Sequence, residues 1–204
     1  MLTSQLSLDS LPKQQPSSQT DLFLALHKFG DEYLDFLKRY PTLQKRESLC
    51  MSLRESVEAN GPSMSEINKS YGCGAGEWWC KYMLIEMFTF LGAMDVISEF
   101  QVCATAEKIC TSYFYLSADE LSYFFYQFSL GTYGKLYVGR TINPQDVFLG
   151  LKQYAIDVTD MRSRIFKEQK NAEMEKELCN PDLMSYDEWC IIHQMELEYE
   201  MKIN

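Results

Sequence analysis

The sequence predicts an all-α protein, a single multi-helix bundle with a flexible N-terminal arm and a charged C-terminal helical extension. Helix start and stop signals recur about every 20 residues, and the apolar residues between them repeat at helical spacing. The composition, 46% hydrophobic and 14% aromatic, is typical of a globular chain, and 204 residues are enough to bury one core. We therefore expect an arm over residues 1–19, a bundle domain over 20–178 and a C-terminal helix over 179–204.

Caps and breaks divide the first part of the chain. The arm is rich in Ser, Gln and Pro and has little periodic apolar content. Thr20 offers an N-cap to an amphipathic helix that Pro41 ends, and a second helix is predicted over residues 42–59. Residues 63–71 predict a short helical turn, and a glycine-dense loop follows over 72–76.

The second part has stronger boundary signals. Residues 77–91 are strongly apolar, which predicts a helix buried around most of its circumference, and another amphipathic helix follows it. Ser117 and Glu120 form a capping box for a helix that ends at Gly131. Asn143, with a proline directly after it, predicts the start of a long helix that continues into a charged stretch.

Charge and targeting signals narrow the classes of function. The formal net charge of −10 means that the molecule as a whole is repelled by nucleic acid and by anionic membrane surfaces. The N-terminus lacks a basic region followed by a continuous apolar stretch, and charged residues interrupt every long apolar segment. We therefore expect a soluble cytoplasmic protein with no membrane partner.

The cysteines predict packing and not metal binding. Seven cysteines, an odd number without an export signal, are expected to be reduced thiols. Cys73 and Cys80 are seven residues apart, as are Cys103 and Cys110, whereas zinc sites favour closer pairs. We interpret them as small buried hydrophobic side chains.

No arrangement of residues in the sequence predicts catalysis. The loop over residues 72–76 lacks the Gly-Lys-Ser/Thr of a phosphate-binding loop and a preceding strand, so we interpret it as a connector. His27 and His193 lie beside no cysteine or carboxylate at a ligand spacing. Asp119 and Glu120 are adjacent, so on a helix they point about 100° apart and cannot share one substrate atom. We predict a non-catalytic protein that uses neither a cofactor nor a metal.

The most distinctive segment combines an aromatic helix, the pattern Gly-x-Tyr-Gly-Lys-Leu-Tyr and an amphipathic helix that opens at Asn143. Over residues 116–164 it resembles uncharacterised helical proteins of Bacteroidetes phages and mobile elements, and more distantly phage replication accessory proteins of the helicase-loader type. This resemblance implies a protein-binding accessory factor in DNA replication, whose partner is a helicase or an initiator. The matching residues are Phe124, Phe125, Phe128, Gly131, Tyr133, Gly134, Lys135, Leu136, Tyr137, Asn143 and Val147.

Two interpretations of this segment stay open at the level of sequence. In the first, its aromatic and basic side chains form a surface that binds the partner protein. In the second, the two glycines let the chain reverse so that the two tyrosines pack back on the aromatic helix. The candidate partner-binding residues are Phe124, Phe128, Tyr133, Lys135 and Tyr137.

Basic residues concentrate between residues 130 and 170, where seven basic side chains outnumber four acidic ones. A replication role predicts weak, salt-sensitive contact with DNA through this segment. A solvated helix face, with charges paired at i,i+3 and i,i+4, explains the same pattern. The candidate nucleic-acid-binding residues are Arg140, Arg162, Arg164, Lys167 and Lys170.

An acidic region near the C-terminus supports a different hypothesis. Seven glutamates lie between residues 173 and 200. They suit an acidic adaptor or inhibitor that binds a host protein such as a nuclease or a defence factor. A helix that is merely hydrophilic has the same composition, so this pattern alone does not choose between the two hypotheses.

Overall fold

The computed structural model describes residues 27–40, 52–134, 137–138, 141–178 and 186–203, and these form a helical bundle with one very short strand pair. The all-α prediction is confirmed. The predicted N-terminal arm lies outside the described residues. Among the described helices, none is long and apolar enough to cross a membrane.

The elements follow one another along the chain with short connections. Strand β1 pairs antiparallel with β2, in the register Tyr137 to Ile142 and Val138 to Thr141. The elements are α1 (Asp31–Arg39), α2 (Leu53–Glu58), α3 (Met64–Tyr71), α4 (Ala75–Phe90), α5 (Glu99–Ser112), α6 (Ala118–Ser129), β1 (Tyr137–Val138), β2 (Thr141–Ile142), α7 (Gln145–Leu178) and α8 (Tyr186–Ile203).

Capping boxes fix the starts of three helices. The side chains of Ser63, Ser98 and Ser117 each accept a hydrogen bond from the backbone N–H three residues later, at 3.2 to 3.3 Å. The side chain at that third position accepts the backbone N–H of the serine in return, at 2.7 to 2.9 Å. Each box satisfies backbone donors that the first helical turn leaves unpaired. The box at Ser117 confirms the prediction, and the other two are Ser-x-x-Glu and Ser-x-x-Gln patterns that sequence reasoning missed.

The first two predicted helices need correction at their starts. Gly30 has a φ of +83° and separates a short helical stretch at residues 27–29 from α1. A glycine takes this left-handed conformation without the steric penalty of a Cβ. Ser52 is extended and caps α2 by accepting the backbone N–H of Glu55 at 3.2 Å, so no single helix runs over residues 42–59.

Contacts between backbone segments divide the chain into a core unit, Met1–Val158, and a C-terminal unit, Thr159–Asn204. The division falls inside α7, and the boundary expected from the sequence at residue 178 stays a prediction. A long uninterrupted helix hides such a boundary, because Asn143 and its proline mark only where the helix begins. The main hydrophobic cluster of the described residues belongs wholly to the core unit.

Helix α4 is the centre of the core unit. It packs against α3, α5 and α6, and its Trp79, Met83 and Met87 are fully buried. The hydroxyl of Tyr33 on α1 donates to the carbonyl oxygen of Ala75 at 2.7 Å, which fixes the start of α4. The prediction that this helix is buried on most of its circumference is confirmed.

Candidate functional site

The Gly-x-Tyr-Gly segment forms a turn that ends α6. Gly131 has a φ of +86° and donates its backbone N–H to Phe128 at 3.0 Å, and Thr132 donates to Gln127 at 3.0 Å. Gly134, with a φ of +125°, completes the reversal. These are the bonds of a helix C-terminal cap, in which a glycine takes the left-handed position. The two glycines are therefore explained by backbone conformation.

The same turn packs closely on α7. The Tyr133 ring lies 6.1 Å from the Phe124 ring and 5.2 Å from the Tyr154 ring, measured between centroids. A Cβ at Gly150 would collide with the carbonyl oxygen of Tyr133 and lie 2.9 Å from carbons of the Phe128 ring. The prediction that Tyr133 packs on the aromatic helix is confirmed, and Gly150 allows the close approach.

Two phenols, the fully buried Tyr154 and the half-buried Tyr133, lie where α6 and its following turn meet α7. Tyr154 is fully buried, and its hydroxyl donates to the carbonyl oxygen of Glu120 at 2.7 Å. Burial raises the pKa of Tyr154 well above its ordinary value, and burial followed by the nearby Asp157 raises the pKa of Tyr133. Both phenols are therefore weaker acids than an ordinary tyrosine and keep the proton with which they donate a hydrogen bond. Their role here is structural.

This arrangement corrects the predicted partner-binding surface. Phe124 and Phe128 lie in the core, so a partner cannot touch them while the core unit is folded. Tyr133 is half-buried. Lys135 and the side chain of Tyr137 lie outside the described residues. An aromatic helix of this spacing is as suitable for a core as for an interface, and the structure uses it as core.

Four of the predicted nucleic-acid-binding residues lie on α7 in the C-terminal unit. Arg164, Lys167 and Lys170 are exposed and fall within an arc of about 120° around the helix. Arg162 is half-buried, and Arg140 lies outside the described residues. Asp160 precedes Arg164 by four residues and lies on the same arc, which weakens the positive potential there.

Helix α8 carries a set of exposed apolar side chains that sequence reasoning did not single out. Trp189 stacks between its neighbours, with ring centroids 6.2 Å from Tyr186 and 5.0 Å from His193 and interplanar angles of 20° and 17°. We call these three residues the aromatic ladder. Tyr186, Trp189, Ile191 and Ile192 are between 43% and 77% exposed.

The ladder lies in an acidic part of the sequence. Asp187 and Glu188 stand in the first turn of α8, where the positive end of the helix dipole favours carboxylates. Across residues 173–204 the sequence has nine acidic residues and two basic ones. A partner that covers the ladder therefore approaches a stretch of net negative charge.

The glycine-dense loop before α4 is held by the protein itself. Asn68 accepts the backbone N–H of Gly76 at 2.8 Å, and Gly72 accepts that of Ala75 at 3.2 Å. These donors are among those that a phosphate at a helix N-terminus would use. The loop therefore connects α3 to α4, with Asn68 as the residue that fixes it.

The described residues contain no cluster of potential metal ligands. In the part of the chain that the structure describes, no group of three His, Cys, Asp or Glu side chains is placed to hold a metal ion. The aromatic ladder and the exposed basic residues Arg164, Lys167 and Lys170 of α7, both in the C-terminal unit, are candidates for binding. Comparison of the chain with family models, with curated proteins and with solved structures found no match.

Proposed function

We propose that the protein is a non-catalytic accessory factor that binds another protein through α8. The exposure of Trp189 carries this proposal: its large ring is half exposed, in a row with two other rings, and Ile192 on the same helix is also exposed. Exposed apolar surface of this kind marks interaction sites. Tryptophan and tyrosine are also the side chains that most often dominate the free energy of protein association.

The acidic charge of this stretch indicates the chemistry of the partner. A surface that complements the ladder and the nearby carboxylates combines apolar and basic side chains. Proteins that handle DNA present basic surfaces of this type. Together with the resemblance over residues 116–164, this supports a helicase or an initiator of a phage or mobile element as the partner, and DNA replication as the process.

The excess of glutamates favours a second candidate function. An acidic adaptor or inhibitor would use the same helix to occupy the basic surface of a host nuclease or defence factor. In that case the partner's DNA and this protein compete for one surface. In the replication proposal the partner keeps its DNA while it is bound.

Weak contact with DNA through α7 accompanies the replication proposal. Arg164, Lys167 and Lys170, the exposed residues of the shared arc, would each touch a phosphate, and each contact would steepen the fall of affinity with salt by about one log unit per log unit. Binding of single-stranded DNA at low salt is expected to be lost when all three become Glu. Absence of binding by the unchanged protein would leave these residues as a solvated helix face.

Affinity purification from the native cell, followed by mass spectrometry, tests the main proposal. The protein is compared with Trp189→Ala and with Phe100→Ala, whose ring is 80% exposed but lies on α5 in the core unit. We expect one partner to be retained by the unchanged protein and by Phe100→Ala, and lost by Trp189→Ala. Truncating an interface anchor typically costs about 2 kcal/mol or more, roughly a 30-fold loss of affinity.

The identity of the partner then separates the two functions. A helicase or initiator supports the replication proposal, and a nuclease or defence factor supports the adaptor. Equal retention by all three proteins would contradict binding through α8.

A further inference from the structure

Three sulfur atoms meet in the interior of the core unit, where α3, α4 and α5 pack together. Cys80 Sγ on α4 lies 3.5 Å from Cys110 Sγ on α5 and 3.8 Å from Met64 Sδ on α3. Cys80 is fully buried and Cys110 is 5% exposed. Both cysteines are free thiols, and they are 30 residues apart in sequence.

We propose that Cys80 and Cys110 form an oxidative cross-linking site whose disulfide joins α4 to α5. A disulfide has an S–S bond of about 2.05 Å, so the two sulfurs must approach by about 1.5 Å. They already touch, because the two helices pack against each other along this interface. The core unit has two other described thiols, the exposed Cys73 and the half-buried Cys103. Their reaction with an oxidant can be compared with that of Cys80 and Cys110.

The oxidant is of the class of low-molecular-weight disulfides. One cysteine loses its proton, attacks a sulfur of the small disulfide and releases a small thiolate, which takes up that proton. The second cysteine then attacks the mixed disulfide and releases the other half as a thiol. The protein loses two electrons and two protons, and the small disulfide takes up both and becomes two thiols.

Burial sets the order and the rate of these steps. Burial, followed by the hydrogen bond with Cys110, raises the pKa of the Cys80 thiol well above its ordinary value. Cys80 is therefore protonated at neutral pH and a poor first nucleophile. Cys110 lies nearer the surface and meets the oxidant first, during brief local opening of α5. The exposed Cys73 reacts sooner but has no such partner thiol at contact distance among the described residues.

The disulfide would stabilise the core unit against unfolding. It closes a loop of about 30 residues, and a loop of this length restricts the unfolded chain enough to raise the melting temperature by on the order of 10 °C. The aromatic ladder belongs to the other unit, so stabilisation by the disulfide and binding of a partner are separate properties.

The test uses the full chain with Cys73→Ala, treated with oxidised glutathione and digested with trypsin without reduction. Cleavage after lysine places Cys80 in the peptide 70–81, Cys103 in 82–108 and Cys110 in 109–135. Because Cys73 shares its peptide with Cys80, the exposed Cys73 is replaced first. We expect a linked pair of 70–81 with 109–135, and a rise in melting temperature that dithiothreitol reverses.

Cys110→Ala is expected to show neither the linked pair nor the rise in melting temperature, and Cys103→Ala to show both. The wild-type cysteines at 80 and 110 stay in place in the decisive sample, so a folding defect at a buried position cannot imitate a negative result. Glutathione adducts on Cys110 without a linked pair, or a linked pair that contains 82–108, would overturn the proposal.

Discussion

The core unit and the C-terminal unit use aromatic side chains in opposite ways. In the core unit, Trp79 and Phe124 are fully buried among other rings on helices that cover one another. In the C-terminal unit, Trp189 stacks only within its own helix in the described ring contacts and stays half exposed. The same residue types at the same helical spacing thus stabilise one unit and leave the other with surface suited to binding.

The largest expected effect separates the two units by stability. Phe124→Ala removes a buried ring and leaves a cavity, so the free energy of unfolding should fall by about 3 to 5 kcal/mol. Trp189→Ala removes an exposed ring and should change it by less than about 0.5 kcal/mol. Denaturant unfolding followed by far-UV circular dichroism measures both without depending on tryptophan emission. Similar losses for the two variants would show that the ladder is part of the core.

A smaller effect is expected where the Gly-x-Tyr-Gly turn meets α7. Gly150→Ala improves helix propensity, yet its Cβ would collide with the carbonyl oxygen of Tyr133. Overpacking of this kind should lower the free energy of unfolding by about 1 to 3 kcal/mol. Gln169→Ala, at an exposed position of the same helix, is the control and should change it by less than about 0.5 kcal/mol. If Gly150→Ala stabilised the protein, the close packing of the turn on α7 would be wrong.

The smallest effect concerns a surface ion pair of the core unit. Lys81 Nζ lies 2.8 Å from Glu99 Oε1, and its hydrogen bond and charge lower the pKa of Glu99. A folded-state pKa below the unfolded value stabilises the fold above the unfolded pKa, and this contribution disappears as the pH falls through the folded pKa. Glu99 is 78% exposed, so solvent screening keeps the contribution below about 1 kcal/mol.

The variant Glu99→Gln tests whether the ionised Glu99 stabilises the folded protein at neutral pH. Unfolding of both proteins is measured at neutral pH and again at a pH below the folded-state pKa of Glu99. The unchanged protein should be slightly more stable at neutral pH, and the difference should vanish in acid. A difference that grows in acid would mean that Glu99 is held protonated, contrary to the direction of its pKa shift.

The sequence correctly predicted helix boundaries that depend on neighbouring residues. The start of α6 at Ser117 and its end at Gly131 depend on residues within a few positions of each other, and both were predicted correctly. The prediction that Asn143 caps the start of α7 is also confirmed, because its side chain accepts the backbone N–H of Gln145 at 3.1 Å. Capping chemistry acts over one helical turn, which is why it can be read along the chain.

The sequence did not predict features that depend on contacts between distant parts of the chain. Phe124 and Trp189 both stand on apolar helix faces, and only the presence or absence of a covering element decides which ring is buried. The cysteines show the same limit, because their spacing along the chain did not predict that Cys80 contacts Cys110 on another helix. Cys73 is exposed, so its interpretation as a buried side chain was wrong.

Hydrogen exchange of backbone amides, with and without the captured partner, tests the proposed division of roles most directly. In the free protein, amides of α4 and α6 should exchange most slowly, because they open only with the whole core unit. When the partner is added, protection should rise over α8 around Trp189 and stay unchanged over α6 and residues 131–134. Protection that rises over α6 and this turn, with α8 unaffected, would contradict the account and return the binding site to the segment first indicated by the sequence.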